Sequence, residues 1–164
     1  MGNQAVQLSG SIPLFTWMGR EIANTQDPDL PPHRAEELVR KHRQDYPFAC
    51  LRRGPTGQYN CHGMTFANRR TWIGDPQDVQ KFLEDDGYRQ IKASDAQEGD
   101  IVVHYDVGEI SHTGLVISVV QEDRIIGGQA VKVLSKWAQG GEYLHAVTDR
   151  PYAEQKLTYW TDRE

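Results

Sequence analysis

The chain has 164 residues, 38% hydrophobic and 25% charged, which fits one globular domain over 1–164 and excludes a wholly disordered polymer. Its 18 basic residues against 23 acidic ones leave a formal net charge of −5. That argues against a dedicated nucleic-acid binder and disfavours adhesion to an anionic membrane.

Apolar runs such as Leu115-Val116-Ile117 fall far short of the ~20 residues a membrane span needs. Met1 to Val6 shows no basic segment leading into an apolar core, and Val6 stands where myristoylation after Gly2 wants Ser or Thr. The expectation is a chain made in the cytoplasm, exported if at all without a classical signal peptide. Two cysteines, Cys50 and Cys61, make no disulfide framework and are expected as free thiols. No cofactor is expected.

Residues 1–30 read as an irregular arm or short strand around Ile12-Pro13-Leu14-Phe15-Thr16-Trp17-Met18, packed onto the core. Pro31 and Pro32 open a helix through about Gln44, with Ala35, Leu38, Val39 and His42 on one face and Pro47 ending it. A loop over Gly54–Gln58 precedes a helix expected from Cys61 to about Arg70. Asp75-Pro76-Gln77-Asp78 starts another, which carries a stripe of Val79, Phe82 and Leu83 and stops at Gly87.

From Ile91 the pattern turns to strands. Ile101–Tyr105 follows a Glu98-Gly99-Asp100 turn, Ser111–Val120 is next, and Gln121–Arg124 forms a turn. Val131–Trp137 follows the Gly127-Gly128 break, and Tyr143–Val147 adds a further candidate. Helices first and an antiparallel sheet later define an α+β class.

Cys61 sits after a glycine-containing loop at the expected first turn of its helix, where free N–H groups and the helix dipole favour a thiolate. A lone cysteine is more often a small buried hydrophobe. His112 opens the apolar strand Ser111-His112-Thr113-Gly114-Leu115-Val116, where a rigid histidine can act as base to a cysteine or serve as a satisfied core residue.

Three segments together carry a resemblance. Tyr59-Asn60-Cys61-His62-Gly63-Met64 resembles the D-C-S-G-L motif of NlpC-type cysteine peptidases. Gln97-Glu98-Gly99-Asp100-Ile101-Val102 resembles their P-G-D-L strand start, and Ser111–Val116 their H-V-G-I strand. The cysteine-before-histidine order is that of the unpermuted papain-like group, which includes the CHAP amidases. The resemblance covers 59–137, about half the chain.

It implies a papain-like fold, with N-terminal helices including the cysteine helix packed on a C-terminal antiparallel sheet. Cys61 would be the nucleophile, His112 the general base, and the Cys61 backbone N–H an oxyanion donor. Tyr59 falls where such enzymes often hold an active-site tyrosine; a loop aromatic packed on the core is the other reading. Asn60 and His62 depart from the family's Asp and Ser. His62, about 100° around the helix from Cys61, is expected to be poorly placed to take its proton.

By the same resemblance the residue that orients the histidine is a polar one on the strand after the histidine strand, where pairing puts Val133 near His112, or else one that returns to the same rim after Gly140-Gly141. Ser135 and His145 are the candidates, with Gln129 a poorer one. No metal is expected: Cys61, His62, His104 and His112 lack C-x-x-C or H-x-x-x-H spacing. Cys50 reads as structural, His104 as a packed residue or pocket wall, and Glu84-Asp85-Asp86 as a solvated helix end. Trp72, Trp137 and Trp160 line a groove or fill the core.

Three functions follow. The first is a cysteine amidase or endopeptidase acting on peptidoglycan, delivered as an effector and opposed by an immunity or inhibitor protein. The second is an intracellular peptidase or isopeptidase acting on protein or a small amide. The third is an inert papain-like binding module.

Overall fold

A computed structural model describes residues 10–122, 128–149, 151–152 and 155–164, with the side chains of 122, 128 and 129 left aside. Met1 to Val6, Asp123, Arg124 and Gly127, which figure in the expectations above, lie outside the described residues. The fold is α+β. Three α-helices, α1 (Pro32–Asp45), α2 (Cys61–Phe66) and α3 (Pro76–Asp85), accompany a seven-stranded sheet. The strands are β1 (Cys50–Arg53), β2 (Arg89–Ile91), β3 (Ile101–Asp106), β4 (Glu109–Glu122), β5 (Gly128–Lys136), β6 (Glu142–Ala146) and β7 (Lys156–Thr161). Their order in the sheet is β1-β6-β5-β4-β3-β7-β2, every pair antiparallel. No helix among the described residues is long and apolar enough to cross a membrane.

Side-chain alternation along β3 divides the core in two. Ile101 and Val103 join Val79, Phe82 and Leu83 of α3, Ala67 after α2, and Leu14 and Ile22 of the N-terminal segment. Val102 turns the other way, into a cluster with Val116, Val131, Val133 and Tyr159. The expected stripe of α3 is therefore buried. Asp75 caps this helix, its carboxylate accepting from Gln77 N at 2.9 Å. On α1, Ala35, Leu38, Val39 and His42 are only half-buried. The His42 ring packs edge-on against Trp137 and Tyr143 at 5.3 and 5.4 Å.

The structure corrects several expectations. Helix α2 stops at Phe66 rather than near Arg70 because Asn68 and Arg69 take positive φ of 48° and 64°, turning the chain back. Strand β4 runs on to Glu122 through residues expected to turn. Strands β1 and β2 carry too few residues, or too many charges, to announce themselves, and β7 (Lys156–Thr161) is a strand outside the expectations above. Glu84 and Asp85 are not merely solvated: Arg20 Nη2 reaches them at 2.7 and 2.6 Å, and Trp17 N donates to Asp86 at 2.7 Å. This contact ties the N-terminal segment, with its Phe15–Glu21 bridge, to the end of α3. Cys50 is exposed on the edge strand β1, so it plays no part in the core.

Gly63 is where α2 meets the rest of the molecule. A Cβ there would run into the Thr71 carbonyl oxygen, which is backbone and cannot yield cheaply. Gly63→Ala is expected to cost about 1–3 kcal/mol through overpacking. Chemical denaturation checks this, and an unchanged midpoint would contradict it.

Candidate active site

The site is built around the start of α2. Asn60 has extended backbone dihedrals (φ −109°, ψ −170°), and its side-chain oxygen accepts from Gly63 N at 2.9 Å, the ordinary N-cap contact. The same oxygen accepts from Ile73 N at 3.1 Å, while Nδ2 donates to Ile73 O at 2.6 Å. An aspartate could cap the helix but could not make that donation, so the amide at this position has a physical reason of its own.

Cys61, the first residue of α2, is only 6% exposed. Burial pushes its thiol up. Against that, the charges of His62 and then His112, with hydrogen bonding to both, hold it well below its ordinary value of 9.0. The sequence places two imidazoles near this sulfur only if both side chains converge, and they do. His62 Nδ1 lies 3.7 Å from Cys61 Sγ and 3.0 Å from Thr113 Oγ1. This corrects the expectation that a neighbour 100° around the helix is poorly placed. The His62 side chain bends back along the first turn, where Thr113 on β4 meets its ring. Thr113 also contacts Thr65 Oγ1 at 3.1 Å, so β4 and α2 are sewn together beside the thiol.

His112 is 1% exposed. The Tyr152 ring stacks flat on its imidazole, centroids 3.6 Å apart and planes 8° from parallel. His104, on β3, pairs with it in register. Both nitrogens of His104, and Nε2 of His112, are buried with no hydrogen-bond partner. Burial first, then the charges of His112 and His145, push His104 down to about 3, so its ring is neutral. His104 is thus packed, as one of its two expected readings has it.

The two candidates for the orienting position are brought together, but with each other. Ser135 Oγ and His145 Nε2 are 2.8 Å apart, His145 Nδ1 is 2.8 Å from Ala146 O, and Trp137 Nε1 donates to Ser135 Oγ at 3.0 Å. Neither is hydrogen-bonded to His112. The register explains this: Val133 faces Val116 and Leu134 faces Leu115, so the ladder carries His112 toward Trp137, beyond Val133. Gln129 is a side chain outside those described.

Tyr59 is buried. Its hydroxyl donates to Glu142 Oε1 at 2.6 Å, and Arg69 Nη2 donates to Glu142 Oε2 at 3.0 Å. Burial raises the Glu142 carboxyl, but the hydrogen bonds of Arg69 and Tyr59 hold it below its ordinary value. Beside this pair, Lys136 is 0% exposed. Its ammonium donates to Thr56 O at 2.8 Å and to Ala138 O at 2.5 Å, and sits 5.1 Å from the centre of the Tyr59 ring. Burial pulls it down to about 8. Sequence reasoning missed Lys136, Glu142 and Arg69: lysine and glutamate in a strand normally mark a solvated face. Trp137 fills the core against Tyr143 at 4.1 Å, while Trp72 and Trp160 are half-buried.

Among the described residues no group of histidine, cysteine and carboxylate side chains is arranged to hold a metal ion. No family model, curated protein or solved structure matches this chain.

With its pKa depressed, the Cys61 thiol loses its proton below the ordinary value, so its anion persists as pH falls toward neutrality. Iodoacetamide should therefore alkylate Cys61 readily at neutral pH. Removing an imidazole leaves burial less opposed, so His62→Ala and His112→Ala are each expected to move the pH profile of that reaction upward by about one unit, slowing it about tenfold on the acid side of the profile. Mass-spectrometric kinetics on Cys61 would read this; the same profile in all three proteins would contradict it.

Proposed function

We propose that the chain is a cysteine hydrolase of the NlpC-type, papain-like kind that cleaves an amide bond. The observation that carries this reading is Cys61 at the first position of α2, its sulfur 3.7 Å from His62 Nδ1 and in the field of His112 on β4. The segments Tyr59–Met64, Gln97–Val102 and Ser111–Val116 support it through their resemblance to that family's motifs. A helix carrying the nucleophile against an antiparallel sheet carrying the histidine is compatible with the same fold.

In this mechanism the Cys61 thiolate attacks the carbonyl carbon. The tetrahedral oxyanion is stabilised by the backbone N–H of Cys61. His112, protonated when the thiol ionises, gives its proton to the departing amine as the C–N bond breaks. Water, deprotonated by the same imidazole, then hydrolyses the thioester and releases the acid and the thiol. His62 lends a second positive field to the thiolate, and through its contact with Thr113 it keeps α2 in register with β4.

The substrate class proposed is a stem peptide of peptidoglycan or its link to the glycan, which the family resemblance favours. Such an enzyme would meet its substrate as a delivered effector and would have an immunity protein as partner. An inert binding scaffold is the second reading. It is favoured by one observation: His112 Nε2 lacks a hydrogen-bonded orienting residue.

Digestion of purified sacculi by the wild type and by Cys61→Ala separates the two. Soluble stem-peptide fragments from the wild type alone, read by mass spectrometry, are the expected outcome. Intact sacculi with a fast-alkylating Cys61 would move the substrate to a protein or small amide. Intact sacculi with a sluggish Cys61 would overturn the hydrolase.

A further inference from the structure

The lack of an orienting residue for His112 has a local solution in β3. His104 and His112 are direct cross-strand partners, with ring centres 5.5 Å apart and planes tilted by 54°. Both are fully buried, and between them they hold three imidazole nitrogens without a hydrogen-bond partner. A single buried polar atom left unpaired costs about 1–3 kcal/mol, so three on facing residues would be a large penalty unless something joins them. A neutral imidazole offers one N–H donor and one acceptor. Ser135 and His145 are engaged with each other and with Trp137 and Ala146, and no hydrogen bond joins either to His112. The His145 Nδ1–H donates to Ala146 O, its Nε2 accepts from the Ser135 hydroxyl, and Ser135 receives the Trp137 N–H.

We propose that His104 is the positioning residue of His112, the two rings being joined through one buried water that hydrogen-bonds a nitrogen of each. A buried water with two or more polar partners is the usual way in which such groups are satisfied, and it is nearly as good as a direct bond. The Tyr152 ring, stacked on His112 and 5.5 Å from His104, closes the site over both. The link fixes which His112 nitrogen carries the proton, and so whether the ring can take one from Cys61. This inference rests on the reading of Cys61 and His112 as nucleophile and base.

Two full-length variants test it, His104→Leu and His104→Gln, compared with His112→Ala. Leucine keeps the packing volume and removes two unpartnered nitrogens, so the thermal midpoint should hold or rise. The pH profile of Cys61 alkylation should nonetheless move upward by about one unit, so that the rate falls about tenfold on its acid side. Glutamine, which can still bond a water, should restore most of the rate and the profile.

The charged and titratable groups facing these residues are His112, His145 and Tyr152 around His104, and His62, His112, Lys136 and Tyr152 around the thiol. None is altered in the two variants. A wild-type rate and profile in His104→Leu, alongside a slow His112→Ala, would overturn the link and leave the hydrolase reading standing. Wild-type rates in both His104→Leu and His112→Ala would overturn the catalytic pair itself. A slow, destabilised His104→Leu that glutamine fails to rescue would mark His104 as structural only and also overturn the proposal. Should His104→Leu not fold, the wild type still decides: a long-lived water should give a nuclear Overhauser contact to the His104 ring, and none would refute the bridge.

Discussion

One amide side chain holds the site together. Asn60 caps α2 through Gly63 N and at the same time closes a two-way pair with the backbone of Ile73, all of it buried. Those bonds fix the strand-like entry to α2, the direction of its first turn and the return of the chain toward α3. Gly63 completes the arrangement by letting the Thr71 carbonyl approach more closely than any side chain would permit. With the helix start held at two points, Cys61 has little freedom. Its sulfur is presented to His62 and His112 instead of being absorbed into the apolar core.

Around this start the protein keeps an unusual amount of buried charge. Glu142 is held by Arg69 and by the Tyr59 hydroxyl, and Lys136 by two backbone carbonyls. Ions taken out of water are stabilising only when nearly every donor and acceptor is matched, so such groups are poor sources of net stability. Their effect here is positional. Tyr59 and Thr56 both belong to the segment leading into Cys61, and each is tied to the β5–β6 end of the sheet. The loop before the nucleophile is thereby held by hydrogen bonds on the sheet side and by Asn60 on the helix side. Lys136 and Cys61 also feel each other's charge, so the network that fixes the loop favours the thiolate as well.

Much of the scaffold was legible in the sequence. Pro32 and Asp75-Pro76 announce the starts of α1 and α3, and the stripes on both helices are buried or half-buried as their spacing implies. The alternating runs of β3, β4 and β5 were equally plain, as was the α+β order. What stayed hidden depended on tertiary contact. Strand β1 is Cys-Leu-Arg-Arg, four exposed residues whose pairing with β6 has no local signature. The pairing of His112 slips by several residues when the length of the β4–β5 hairpin is misjudged, which is why Val133 looked closer than it is. The position of His62 follows from its contact with Thr113, 51 residues away, and nothing in helical periodicity reports that.

The account turns on whether Cys61 is an anion at neutral pH. A spectroscopic titration of the thiolate absorbance, taken as the wild type minus Cys61→Ala so that Cys50 cancels, measures this without any substrate. The account predicts that the absorbance persists far below the ordinary thiol value of 9.0 and disappears only on acidification. An absorbance that rises only at or above that value would contradict it, since burial would then have prevailed over both imidazoles.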